Sequence, residues 1–473
     1  MIPRAVEQRI SSPQAELYPG ALSLQNCPDP RLAKLLEQGW TSILPSAGGN
    51  ETRVLFHQMP RMAASHKDMH LISITEQGIT ISAKGYNGFL YGIQSLLQLL
   101  FLASQAPVPH LICQEIIDYP AYEWRGLHLD ESRHFFGIDT VKRYLKIMAA
   151  LKLNRFHWHL TDDQGWRIES KLYPELCQKG ANRIEPDGSS YGGYYTQDEI
   201  RQVIAYAEDL GIMVIPEIDL PGHSMALLSA YPDFACFPAE FQPMSVWGIS
   251  EDILCAGKDA VISFLKNLLG EIAELFPGAY IHLGGDEAPK ERWQACPNCQ
   301  QRIKDLRLDN EEQLQSWLFH EIAQYLQQKG KQVIGWDEIL DGNIDSTLTV
   351  MIWRGDGKAA SQMAARNSNP YILCPNRICY FDWKQSESSP GAHGISTLEN
   401  VYSFSPADYS RPDLCLGGQA NLWTEHIHNQ KELEYMLLPR AFALAERLWS
   451  HKADFAGFQT RLKELEGYLE TLR

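Results

Sequence analysis

The chain has no excess of positive charge: 42 Lys and Arg stand against 58 Asp and Glu in 473 residues, a formal net charge of −16. Nucleic acid, whose phosphates demand cations, is therefore not an expected partner, whereas neutral or cationic ligands fit. Long hydrophobic runs are also missing. The longest, Phe89 to Leu102, is interrupted by Gln94, Ser95 and Gln98 and is too short and too polar to cross a bilayer, so no membrane contact is expected. No basic, apolar leader opens the chain, because Met1 to Ile10 is mixed polar. A cytoplasmic location is expected, with a secreted mature form the alternative. Ten cysteines are too few for a disulfide scaffold and are expected to be mostly reduced. Cys296-Pro-Asn-Cys299 is a lone CxxC with no second pair at zinc-ribbon spacing. It reads as a local turn or reversible disulfide ahead of a metal knuckle. No glycine-rich phosphate loop follows any candidate strand. Oligomeric state is left open.

What is present is an ordinary globular composition, 44% hydrophobic and 21% charged, in a length suited to one large domain and one small one. Residues 1–118 predict a small α+β domain. Leu71-Ile-Ser-Ile-Thr and Ile79-Thr-Ile-Ser alternate apolar and polar around Glu76-Gln77-Gly78, a hairpin pattern, and Gly88 to Leu102 has helical periodicity. Asp118-Tyr119-Pro120 marks the boundary, and 119–473 form the second domain. There, eight short apolar runs alternate with helical segments: Gly126 to Leu129, Arg155 to Leu160, Met213 to Ile218, Tyr280 to Leu283, Gln332 to Gly335, Thr349 to Ile352, Tyr371 to Cys374, and Leu414 to Gly417. Thr196-Gln-Asp-Glu199 is a capping box opening one of the helices. The count predicts an α/β fold of (β/α)8 type, a barrel preceded by the small α+β domain. A doubly wound sheet is the alternative.

In such a barrel, chemistry sits where the strands end. Tyr280-Ile-His-Leu ends in Gly284-Gly285 and then in two adjacent carboxylates, Asp286 and Glu287. Like charges packed beside a buried strand are unfavourable unless something uses them, and a carboxylate pair suits proton transfer with an orienting partner. Other strand ends bring His157, His159, Asp162 and Asp163, then Glu217, Asp219 and His223, then Trp336, Trp353, Trp383 and Trp423. Tryptophan faces beside carboxylates are equipment for gripping a sugar, rings on C–H patches and acids on hydroxyls.

The residues also resemble a known family. Trp124-Arg-Gly-Leu-His-Leu-Asp with Ser132-Arg-His-Phe, Phe156-His-Trp-His-Leu-Thr-Asp-Asp-Gln-Gly-Trp, Pro216-Glu-Ile-Asp-Leu-Pro-Gly-His, His282-Leu-Gly-Gly-Asp-Glu, Gly417-Gly-Gln-Ala-Asn-Leu-Trp-Thr-Glu and Ala445-Glu-Arg-Leu-Trp occur in that order. Together they resemble glycoside hydrolase family 20, the β-N-acetylhexosaminidases. The resemblance implies exo-acting, retaining hydrolysis of terminal β-linked N-acetylhexosamine, with the substrate's own acetamido oxygen as nucleophile. It implies that Glu287 is the general acid/base, Asp286 orients the acetamido N–H, and Tyr380 holds the acetamido oxygen. Trp336, Trp353 and Trp423 would box the N-acetyl group and ring. Arg125 would grip O3 and O4, with Asp382 and Glu425 on O4 and O6. Asp162, Asp219 and His223 would support Glu287. The implied partner is a small-molecule or oligosaccharide substrate, and no cofactor or metal is expected. The alternatives are a metal-dependent barrel hydrolase using the histidines, an inactive sugar-binding module, and a disaccharide-releasing member of the same family.

Overall fold

The computed structural model describes residues 1–11, 14–45, 51–60 and 66–472. The first domain is a six-stranded mixed sheet in the spatial order 7–10, 114–118, 70–75, 78–83, 52–58, 22–25. The expected hairpin is its centre, His70–Thr75 paired antiparallel to Gly78–Ala83 with Thr75 opposite Gly78. Helices Pro30–Ile43 and Tyr86–Ser104 pack on one another, and the second also lies on the sheet. Tyr86–Ser104 contains the longest apolar run and is buried nearly all round. That is the pattern of a helix enclosed on both sides. Gln98 shows what lies on its far side: its side-chain amide donates to the Ala150 carbonyl of the second domain at 3.2 Å.

Eight parallel strands close into a barrel: β1 Trp124–Asp130, β2 Arg155–His159, β3 Met213–Glu217, β4 Tyr280–His282, β5 Gln332–Trp336, β6 Thr349–Ile352, β7 Tyr371–Leu373 and β8 Cys415–Ala420. Each overlaps one of the eight predicted runs, with the first and eighth strands longer than expected. The seam joins β8 to β1 through Gly417 opposite Trp124. The predicted capping box is formed: Thr196 N donates to Glu199 Oε2 at 2.8 Å, and Glu199 N to Thr196 Oγ1 at 3.2 Å. Among the described residues, no helix is long and apolar enough to cross a membrane.

The bottom of the barrel rests on the first domain through buried polar groups. Lys152 Nζ lies 2.7 Å from Asp118 Oδ2, and Trp449 Nε1 donates to Asp118 Oδ1 at 2.7 Å. Arg125 belongs here, which corrects the sequence reading. It is the second residue of β1, and five residues at about 3.3 Å each put it roughly 16 Å below Asp130 at the strand's other end. Its guanidinium donates to the Lys152 and Tyr122 carbonyls and to the Tyr91 hydroxyl, at 2.8–2.9 Å, and lies over the Trp449 ring. It is fully buried at the interface between the domains and reaches no strand end.

Candidate active site

The C-terminal ends of β3 and β4 carry the acids. Two glycines make the turn after β4 possible. Gly284 and Gly285 have φ of 67° and 98°, and a Cβ on Gly284 would fall 1.7 Å from Asp219 Oδ1. The next two residues point apart, as expected for adjacent positions. Asp286 is buried, with its Oδ1 lacking any protein partner, whereas the Glu287 side chain is 38% exposed. Glu287 and His223 both have left-handed backbones, at φ 47° and 48°. Such conformations cost about 1–3 kcal/mol each and persist where the surroundings impose them.

His223 joins the two acids to a support. Its Nε2 lies 3.6 Å from Glu287 Oε2 and 3.7 Å from Asp286 Oδ2. Its Nδ1 donates to Asp162 Oδ1 at 3.0 Å, with Asp163 Oδ2 at 3.3 Å. Burial opposes a charge on this imidazole, but Asp162, Asp163 and Glu287 outweigh it and hold its pKa well above the usual value. Asp219 accepts from Gly285 N at 3.3 Å. Burial first, then the Asp286 charge, pushes its carboxyl well above the carboxylate range. Asp286 itself is raised to about 6, chiefly by burial, with His223 pulling the other way and Glu217 and Glu287 adding to the rise.

Beneath this layer Glu217, at the end of β3, organises the histidines. His159 donates from Nδ1 to Glu217 Oε2 at 2.6 Å and from Nε2 to Asp162 Oδ2 at 2.9 Å. An imidazole donating from both nitrogens is protonated, and the two carboxylates outweigh burial to keep it so. His157 Nε2 and His282 Nδ1 lie 3.1 and 3.0 Å from the same carboxylate. Trp336 Nε1 donates to Glu217 Oε1 at 2.8 Å. Three of the four histidines behind the metal alternative, His157, His159 and His282, are thus gathered on one carboxylate, beside which His159 is held charged while burial lowers His157 to about 4. Sequence reasoning placed Glu217 at a strand end without showing this role.

The aromatic side of the site is continuous. Trp353 stacks on Tyr380 (centroids 5.9 Å apart, planes 16° apart), Tyr380 approaches Trp423 at 6.3 Å, and Trp423 approaches Trp336 at 6.0 Å. Trp336 is only 1% exposed and forms the floor, whereas Trp353 and Trp423 are partly open. Trp353 is oriented by its Nε1 donating to Glu338 Oε2 at 2.8 Å. Sequence reasoning placed Glu338 after the fifth strand and gave it no role. Burial, then the Asp286 charge, raises its pKa. Asp382 and Glu425 sense one another across the ends of β7 and β8. Both are raised by burial, Asp382 next by Glu425, while Arg133 draws Glu425 down. Asp382 Oδ1 is buried without a protein partner.

The cation at this end is Arg133, which sequence reasoning quoted but passed over for Arg125. Asp130 at the tip of β1 accepts from the Ser132 and Arg133 N–H groups at 2.8 and 3.2 Å and so turns the chain outward. The Arg133 guanidinium then lies 2.8 Å from Asp162, donates from Nε to Gln164 at 2.9 Å, and covers the Trp423 ring at 5.1 Å. The missed signal was positional: a residue just past a strand's end faces the mouth, and one at its start does not.

Comparison with known proteins decides the lineage. The model of the glycosyl hydrolase family 20 catalytic domain matches residues 122–452, and that of family 20 domain 2 matches residues 8–119. The chain belongs to glycosyl hydrolase family 20. Within the family it is 44% identical over 409 residues to a β-hexosaminidase of Porphyromonas gingivalis, covering 83% of this chain and 52% of that one. It is 35% identical to a β-hexosaminidase of Akkermansia muciniphila, covering 81% and 79%. The family 20 chain thus spans about half the length of the first relative. Among solved structures it is similar to the family 20 exo β-N-acetylglucosaminidase of Vibrio harveyi bound to N-acetylglucosamine (TM-score 0.88, 29% identity, covering 100% of this chain and 77% of that one). It is also similar to the β-N-acetylhexosaminidase of Bacteroides fragilis (TM-score 0.86, 30% identity, covering 99% and 95%).

The two arginines should respond differently to substitution. Arg125→Met leaves two carbonyls and a phenol without their donor, at about 1–3 kcal/mol for each buried group left unpaired. It should lower the melting temperature and leave KM unchanged. Arg133→Met should raise KM for a glycoside substrate severalfold. Steady-state kinetics and thermal melts on both variants check this, and a raised KM confined to Arg125→Met would reverse the assignment.

Proposed function

We propose that this protein is an exo-acting, retaining β-N-acetylhexosaminidase that removes terminal β-linked N-acetylglucosamine, and N-acetylgalactosamine as well. The observation that carries the reading is the pairing of a buried Asp286, with one oxygen unpartnered, and an exposed Glu287, beside a wall of Trp353, Tyr380 and Trp423. In the proposed reaction, the acetamido oxygen attacks C1 as the bond from C1 to the leaving oxygen breaks and Glu287 protonates that oxygen. Asp286 accepts the acetamido N–H and stabilises the positive charge that spreads over the bicyclic oxazolinium. The Tyr380 hydroxyl donates to the acetamido oxygen, and the aromatic wall confines the methyl group. Glu287, now a carboxylate, takes a proton from water as that water attacks C1 and the bond from C1 to the acetamido oxygen breaks, restoring the acetamide, and two inversions give net retention.

Arg133 takes the hydroxyl-binding part once given to Arg125, alongside Asp382 and Glu425. Asp162 and His223 hold Glu287 from behind. No step requires a metal. The acid pair beside the linked rings of Trp353, Tyr380, Trp423 and Trp336 suits a terminal sugar better than mid-chain binding. Time-resolved product analysis on an N-acetylglucosamine oligomer tests this directly. Monosaccharide should accumulate from the first turnover, and early appearance of internal fragments or of disaccharide would defeat the exo reading.

A further inference from the structure

Four cysteines that the chemistry above does not use meet at one point. Cys236 and Cys255 come from the long loop after β3, and Cys296 and Cys299 from the loop after β4. All four are buried, and their sulfurs lie within 4.8 Å of one another. The separations Cys236–Cys299, Cys255–Cys296 and Cys255–Cys299 are 3.7, 3.7 and 3.6 Å. A disulfide would bring two sulfurs to about 2.05 Å, and none of the ten cysteines is in one. Four sulfurs at the corners of a tetrahedron, each about 2.3 Å from a central zinc, stand about 3.8 Å apart. We propose that Cys236, Cys255, Cys296 and Cys299 bind one structural zinc ion that ties the loop carrying His223 to the loop carrying Asp286 and Glu287.

The backbone is shaped for this. An antiparallel bridge between Ala235 and Leu254 places Cys236 and Cys255 diagonally across it, where alternation turns both to the same face. Cys296 is the N-cap of helix Pro297–Leu306, and Cys299 lies in its first turn, where the helix dipole favours thiolates. Gly257 packs so closely on this turn that a Cβ there would fall 2.3 Å from Cys299 N. Four thiolates and one Zn²⁺ leave two negative charges. Nearby, Lys258 is pinned to the Asp233 and Ala235 carbonyls, while Arg302 donates to the Gly257 carbonyl and is paired with Asp259, so Lys258 is the cation closest to balancing that charge. The sequence showed half of this pattern. The second pair is not another CxxC but two residues 19 apart, brought together by a single bridge.

The cluster is coupled to the acids by short links. Leu254 N donates to the Pro221 carbonyl at 3.0 Å, next to Gly222 and His223. A Cβ on Gly222 would sit 3.2 Å from the Asp286 carbonyl, so the two loops touch there. The zinc therefore acts on position and stability, remote from the bond that breaks.

The test is metal analysis of the intact purified chain under reducing conditions. About one zinc per chain is expected, retained through EDTA dialysis because the site is buried and closed. A mercurial reagent should release it as the four thiols react. Growth with cobalt should give the intense visible bands of a tetrahedral tetrathiolate site. Cys299→Ser and Cys255→Ser should lose the metal and melt at lower temperature, while Cys177→Ser, a buried cysteine outside the cluster, should keep it. If a variant fails to fold, the wild-type stoichiometry and the cobalt spectrum still decide the matter. Folded, active wild-type chain with only background zinc, equimolar iron in its place, or disulfides among these cysteines by mass spectrometry would overturn the assignment.

Discussion

Glu287→Ala should lose about 10²- to 10⁴-fold in kcat on substrates with poor leaving groups, the usual worth of a positioned general acid. The loss should shrink with an activated aryl leaving group, which departs without a proton. For that substrate, the second step becomes limiting, since nothing remains to deprotonate water. Added azide, an anion needing no base, should then restore turnover and yield the β-glycosyl azide. The geometry motivates this selectivity. Glu287 is the exposed member of the pair, open to both a leaving group and water, and His223 lies 3.6 Å behind it. A variant equally impaired on every leaving group, with no azide product, would remove Glu287 from the acid/base role.

Asp286→Asn should fail differently. It removes the charge that stabilises the cationic intermediate, a loss on the order of 10²–10³-fold, and should slow good and poor leaving groups alike without azide rescue. Its pH profile is a further mark. Burial raises Asp286 to about 6 in the folded protein, and the proposed role needs the ionised form. Below that pH the carboxyl is protonated and neutral, so kcat/KM should fall about tenfold per pH unit as pH drops beneath 6. An ordinary aspartate would delay that fall until near 4. The Asp286→Asn variant, slow throughout, should lack this acid limb. A limb that persists unchanged in the variant would assign it to another group.

The barrel was legible because each strand is a short apolar run closed by a polar cluster, and eight such runs leave few architectures. The acids at the mouth were legible for a related reason, since adjacent carboxylates after a buried strand and Gly-Gly have no structural use. Arg125 was misread because a motif fixes order along the chain and says nothing about which end of a seven-residue strand a side chain serves. Its partners, Tyr91 and Trp449, lie 34 positions before it and 324 after it. Glu217 was visible as a strand-end acid, but its gathering of His157, His159 and His282 depends on the pairing register of β2, β3 and β4, which sets Glu217 opposite both His159 and His282. The cysteine cluster was half visible for the same reason.

The seal beneath the barrel bears on how the chain holds together. Asp118 closes the first domain's sheet, Lys152 precedes β2 and Trp449 ends helix Arg440–Trp449, yet all three share one set of bonds. Unfolding either part would strip the other's buried charges of their partners, at several kcal/mol for a broken buried ion pair. The boundary near residue 118 is therefore a change of pattern bridged by shared buried bonds, and the two parts are expected to unfold as one cooperative unit in a thermal melt. The barrel's lower face is fixed by that union, which leaves the loops above it free to vary.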